Sequence, residues 1–97
     1  MNTQNRTLQE TRTALAPADV LDAAKEFFSR RNSIYAAFVE QESPRHVTFR
    51  GQGGEELVIA VDAAGEATRV TGASYLFDAQ ISRFFAALPP AAVGGTA

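Results

Sequence analysis

The apolar positions of this 97-residue chain change period several times, and each change marks an element. Leu8 to Leu15 (LQETRTAL) carries no helical stripe and is rich in Thr, which predicts an edge strand with a wet outer face. Ala16, Pro17, Ala18 and Asp19 then read as a helix start, because proline tolerates the first helical position and an acid there complements the helix dipole. Val20, Leu21, Ala24, Phe27 and Phe28 fall on one face at helical spacing, predicting a helix from Pro17 to Arg31. Arg30 and Arg31 close it where positive charge is favoured.

From Ser33 to Glu42 (SIYAAFVEQE) the period shortens to two, with aromatic and branched residues, and a strand is expected. Ser43 and Pro44 supply the turn. Arg45 to Arg50 alternates, with Val47 and Phe49 on one face and His46, Thr48 and Arg50 on the other. Gly51 to Gly54 (GQGG) reads as a hairpin loop, Glu55 to Asp62 as a central strand, and Ala63 to Gly65 as the next turn. Glu66 to Ser74 completes the sheet, with Gly72 expected to mark a bend or bulge. Phe77, Ile81, Phe84, Phe85 and Leu88 share one face of a closing helix, with Ser74 or Asp78 in position to cap it. The expectation is therefore an α+β domain of order β-α-β-β-β-β-α, an antiparallel meander of four to five strands with both helices on one face. Neither a repeat nor a long linker divides the chain. One domain over 1–97 is expected, with an ordered core at about 7–89 and flexible tails at 1–6 and 90–97.

An antiparallel sheet covered on one side should alternate apolar and polar residues, and two strands here do not. If Ile34, Ala36, Phe38, Val47, Phe49, Leu57, Ile59, Val61 and Val70 face the helices, the other side still carries Tyr35, Ala37, Val39, Val58, Ala60 and Ala73. Thr48 and Thr71 add amphipathic surface there. Such a patch exceeds what monomers usually leave wet. A symmetry mate, curling of the sheet, or a bound apolar ligand would each cover it. The homodimer is favoured, since the residues are mostly small and two-fold pairing is the commonest closed assembly; its face would comprise Tyr35, Ala37, Val39, Thr48, Val58 and Ala60.

Composition narrows the partners. The formal net charge is -2 with both signs interspersed, so no positive field exists to attract phosphates, and nucleic acid is not expected. The best apolar run, Leu57 to Val61, is cut by Glu56 and Asp62, far short of the ~20 residues that span a bilayer. The polar start lacks the apolar centre of a secretory signal, and a cytoplasmic protein of bacterial style is expected. With no cysteine, disulfides and thiolate chemistry are excluded.

Two stretches carry a resemblance. The segment LQETRTALAPADVLDAAKEFF resembles the opening of the polyketide cyclase and START-type helix-grip superfamily, where a strand leads through an Ala-Pro step into the first helix. Later, GEATRVTG before a terminal apolar helix is similar to that superfamily's Gly-x-x-Thr-Arg-Val-Thr strand and long closing helix. The resemblance implies a shortened member, lacking the second short helix and about two strands, with a cavity that is reduced or completed by a partner. Members bind lipids, polyketides or other apolar molecules between helix and sheet. No family functional residue carries over, because neither motif contains one.

Candidate chemistry is sparse. His46 is the single histidine, so a His pair is impossible, and its use as a base with Ser43, Ser74 or Ser82 would need spatial support. Glu40, Glu42, Glu55 and Glu56 can be imagined around a hard cation, but cross-strand ion pairs with Arg45 and Arg50 explain the same residues, and no metal or cofactor is expected. The GQGGE loop lacks the lysine of a phosphate-binding loop. Arg30, Arg31 and Arg69 suit a helix end and a solvated strand; Tyr35 and Tyr75 suit a cavity mouth or dimer rim. The function expected is a non-catalytic binding domain, a homodimer that holds an apolar small molecule or lipid against Phe27, Phe38, Phe49, Phe84 and Phe85. The alternatives are a protein-interaction module without a small ligand, and a cyclase-like enzyme using Tyr35 and His46 with Glu40.

Overall fold

The computed structural model describes residues 7–31, 37–51, 53–74 and 77–90. Within them β1 (Thr7–Thr13), α1 (Pro17–Glu26), β2 (Phe38–Ser43), β3 (His46–Arg50), β4 (Glu56–Ala64), β5 (Ala67–Ser74) and α2 (Asp78–Ala87) follow in the expected order. The fold is α+β, with all five strands in one antiparallel sheet ordered β1-β5-β4-β3-β2. Ile34, Tyr35, Ala36 and Tyr75 lie outside the described residues, as do the tails 1–6 and 91–97. Among the described residues no helix is long and apolar enough to cross a membrane.

α1 starts as its sequence dictates, with Pro17 in its first turn and Asp19 beside the positive dipole end. Val20, Leu21 and Ala24 face the sheet and are buried. The helix was expected to continue regularly to Arg31, but from Phe27 to Arg31 it widens into a π-helical turn. The wider turn lets the adjacent Phe27 and Phe28 both reach the core side, their ring centroids 5.0 Å apart. It also accompanies a bond that closes the chain back on itself, from the Ala37 N–H to the Phe28 carbonyl at 2.9 Å.

α2 covers the other half of the same sheet face, burying Ile81 and Phe84. Neither capping candidate is the cap: Phe77 is the N-cap residue and forms no side-chain cap hydrogen bond, while just before it the Ser74 hydroxyl accepts the Phe77 N–H at 3.1 Å and reaches the Asp78 carboxylate at 3.3 Å. Gly72 proves to be neither bend nor bulge, since the ladders on both sides of β5 run through it without a shift. Instead it lets α2 approach: a Cβ there would lie 2.9 Å from Ile81 Cγ2. Gly65, at φ 68°, makes the β4–β5 turn in a conformation that side chains disfavour.

The core is one layer deep between the helices and the sheet. Phe28, Phe49, Leu57, Ile59, Val70, Ile81 and Phe84 are almost completely buried there. Each large apolar side chain so buried contributes on the order of 1.5–3 kcal/mol before the entropy of ordering is subtracted.

The faces of β2 depart from the simple alternation. Ser43 pairs with His46 and Gln41 with Thr48, all on the side away from the helices, but the register then shifts between Val39 and Gln41. Glu40 is the extra residue, and a one-residue bulge exchanges the two faces of everything before it. Val39 consequently pairs with Phe49 and packs on the core, and Ala37 is buried with it. Phe38 pairs with Arg50 and is 57% exposed on the outer face. Thus Ala37 and Val39, expected on the outer side, belong to the core, and Phe38, expected inside, is outside.

Candidate functional site

Four of the five Phe residues proposed to hold a ligand stay together; Phe38 does not. Phe28, absent from that set, is the hub, with ring centroids 5.4 Å from Phe49, 5.3 Å from Phe84 and 5.0 Å from Phe27. Phe84 in turn lies 5.6 Å from Phe27 and 6.1 Å from Phe85. These separations and the tilted ring planes are those of favourable aromatic packing. Phe49 and Phe84 are sealed within it, so neither has room for a ligand on its inner side, whereas Phe27 and Phe85 are only partly buried.

Where this cluster reaches the surface, between the C-terminal parts of α1 and α2, it opens into a groove of about 150 Å³. Phe27 and Phe84 form its aromatic wall, Leu15, Leu88 and Pro89 its aliphatic one, and Ala23 and Ala87 leave space by being small. Glu26 stands among them as the ionisable lining residue. The backbone below is held by Thr13, whose hydroxyl donates to the Pro89 carbonyl at 2.6 Å and accepts the Leu15 N–H at 3.3 Å. The Ala14 N–H and an antiparallel bridge from Thr13 to Pro90 add to that tie, so the segment after α2 is fastened to β1. Of the lining, only Phe27 and Phe84 were foreseen as ligand residues. Ala23, Ala87 and Leu88 are visible in the sequence only as small or apolar residues three or four positions from those two, and Leu15, Glu26 and Pro89 carry no such spacing.

The outer face of the sheet is ordered in rows by the strand register. Leu8, Ala73, Val58, Thr48 and Gln41 lie across from one another, and Glu10, Thr71, Ala60 and His46 form the next row. Among the described residues Leu8, at 71%, is the most exposed large apolar one, with Phe38 second, and both are on edge strands. Of the residues expected on the dimer face, Val58 and Ala60 are half-buried on the outer side, Thr48 lies on that side but is only 6% exposed, Ala37 and Val39 belong to the core, and Tyr35 lies outside the described residues.

The polar candidates serve local structure. Ser43 Oγ and His46 Nδ1 are 2.6 Å apart, and the same hydroxyl accepts the Arg45 N–H at 3.1 Å, so the pair closes the β2–β3 turn. Ser74 accepts the Phe77 N–H ahead of α2, and Ser82 donates to the Gln9 side chain at 2.9 Å, so neither stands with His46. Arg50 Nη2 meets Glu40 at 2.8 Å and Lys25 meets Glu42 at 2.9 Å, each cation being held above its ordinary pKa by the hydrogen bond to its carboxylate. The Glu55 carboxylate accepts the Gly53 N–H at 3.1 Å within the β3–β4 loop. Arg69 pairs with Asp62 at 2.7 Å, and its hydrogen bond draws the Asp62 carboxyl below the usual carboxylate range. Among the described residues no three His, Asp or Glu side chains are grouped as metal ligands would be. Of the glutamates imagined around a cation, Glu40 and Glu42 are thus held in separate ion pairs and Glu55 within its loop.

Comparison of the chain with family models, with curated proteins and with solved structures finds no match in any of the three.

Proposed function

We propose that this protein is a small binding domain that takes an apolar molecule into the groove between α1 and α2. The observation that carries the reading is the groove itself: about 150 Å³, open to solvent, and walled by Phe27, Phe84, Leu15 and Leu88. An apolar pocket of ~150 Å³ is large enough for one benzene ring, so the occupant is a single ring, a short alkyl chain, or the end of a longer lipid. The strand-helix-meander-helix order is also that of the helix-grip resemblance, which supports placing the ligand beside the helices rather than on the outer sheet face. Titration with toluene, followed by amide NMR, tests it. Shifts confined to Ala23, Phe27, Phe84, Ala87 and Leu88 are expected, with Ala23→Phe filling the space and removing them. Absence of any shift at these positions overturns the proposal.

A second reading concerns the outer face, where Leu8 and Phe38 are exposed on the two edge strands and Val58 and Ala60 are half-buried on the central strand between them. We propose that a second copy of the chain covers it, hiding surface that would otherwise remain wet. Sedimentation equilibrium should then give a mass near twice the 10.4 kDa protomer. Leu8→Ser with Phe38→Ser should return the protomer. A single 10.4 kDa species at every concentration removes this reading.

A further inference from the structure

Two short segments outside the helices supply the aliphatic side of the groove, and one cross-strand pair holds them both. Thr13 and Thr68 stand directly opposite each other on β1 and β5 and are buried, at 0% and 3% exposed. Both hydroxyls bond to backbone. Thr68 Oγ1 donates to the Leu15 carbonyl at 2.7 Å, while Thr13 Oγ1 donates to the Pro89 carbonyl at 2.6 Å and accepts the Leu15 N–H at 3.3 Å. Leu15 belongs to the link between β1 and α1, Pro89 to the segment after α2, and both line the groove. Resting on the binding reading above, we infer that Thr13 and Thr68 are positioning residues that fix the width of the groove and so make it select narrow over broad apolar rings.

Connecting segments are ordinarily the parts of a fold that give way to a ligand. Here a retreat of Leu15 or Pro89 breaks a hydrogen bond to a buried hydroxyl, and each buried group left unpaired disfavours the widened groove roughly five- to 150-fold. The Ala14 N–H, 3.4 Å from the same Pro89 carbonyl, and the Thr13–Pro90 bridge resist the movement further. On the opposite side Phe27 is backed by Phe28 and Phe84, at ring-centroid distances of 5.0 and 5.6 Å. With both sides held, the space of about 150 Å³ admits one ring and resists a broader one. Hydrocarbon transfer by itself runs the other way, since each added methyl favours burial roughly fourfold. The two effects therefore predict opposite orders of affinity.

The experiment titrates toluene and the broader 1,3,5-trimethylbenzene into the full chain, with the amide shifts of Ala23, Phe27 and Leu88 as readout. Wild type should bind toluene the more tightly, against the order of hydrophobicity. In Thr13→Val the ratio of the two affinities should move roughly tenfold or more toward the broader ring, and Thr13→Ser, which keeps the hydroxyl, should restore it. Thr68→Val, which leaves the Leu15 carbonyl without its donor, should move the ratio the same way, and it carries the test if Thr13→Val does not fold. A role in stability alone would lower the denaturant midpoints of the Val variants and leave the ratio unchanged. That outcome, or a wild type that binds 1,3,5-trimethylbenzene the more tightly, overturns the inference while toluene binding still upholds the groove. Failure of both compounds to shift the groove residues of wild type overturns the inference and the binding reading together.

Discussion

Val39 stands directly across the β2–β3 ladder from Phe49, while its neighbour Phe38 stands across from Arg50. That pairing follows from the register shift at Glu40, and it decides which of two adjacent apolar side chains belongs to the core. Counting back by twos from the Ser43–His46 pair gives the opposite answer. The bulge therefore reassigns the apolar content of the strand without altering a single residue type.

Substitution at the two positions should accordingly have unequal effects. Val39→Asn places an amide against the core and should cost about 1–3 kcal/mol in urea denaturation. Phe38→Asn should change the stability of the protomer by less than about 0.5 kcal/mol. A larger loss at Phe38 than at Val39 would reverse the assignment of faces.

Phe28 joins Phe27, Phe49 and Phe84 and is 1% exposed. Phe28→Ala should therefore cost about 3–5 kcal/mol, combining lost burial with an unfilled cavity. Phe85→Ala, at the partly buried end of the same cluster, should cost less. Denaturant midpoints of the two variants test the ranking.

Gly72 is occupied from above by Ile81. Gly72→Val should destabilise by about 1–3 kcal/mol, because the added carbons meet α2 rather than open space. Ile81→Ala in the same chain should recover part of that loss. A double-mutant cycle with no coupling between the two positions would contradict the close contact.

The Asp62–Arg69 pair predicts a pH dependence with a definite sign. Its hydrogen bond lowers the Asp62 pKa on folding, so the stabilisation is fully present above the ordinary carboxylate pKa and is lost as pH falls through the lower, folded-state value. Wild type and Asp62→Asn should differ at neutral pH and converge in strong acid. The difference should also diminish in high salt, as befits a solvent-exposed pair. Melting curves from pH 7 downward give the comparison, and a gap that persists in acid or widens there would contradict the linkage.

The elements whose apolar period is uninterrupted were legible from residue order. α2 is declared by Phe77, Ile81, Phe84 and Leu88, and β4 by Leu57, Ile59 and Val61, because a regular backbone turns sequence spacing directly into a face. The order of the four-strand meander was legible as well, since short turns at Pro44 and Gly65 leave antiparallel neighbours as the available arrangement, whereas the place of β1 beside β5 was not. The groove was not. Phe27 and Phe84 are 57 positions apart and look the same in sequence as the fully buried Phe49; only helix packing leaves Phe27 partly buried at the groove with Phe84 sealed behind it.

Periodicity thus specified the kinds of element, their sequence and the side of most side chains, because those depend on local backbone geometry. The bulge at Glu40, the π-helical turn after Glu26 and the opening beside Phe27 belong to the tertiary structure. Each is set by how distant surfaces fit together, and a one-residue shift in that fit moves a side chain from the interior to water while the pattern of residues remains the same.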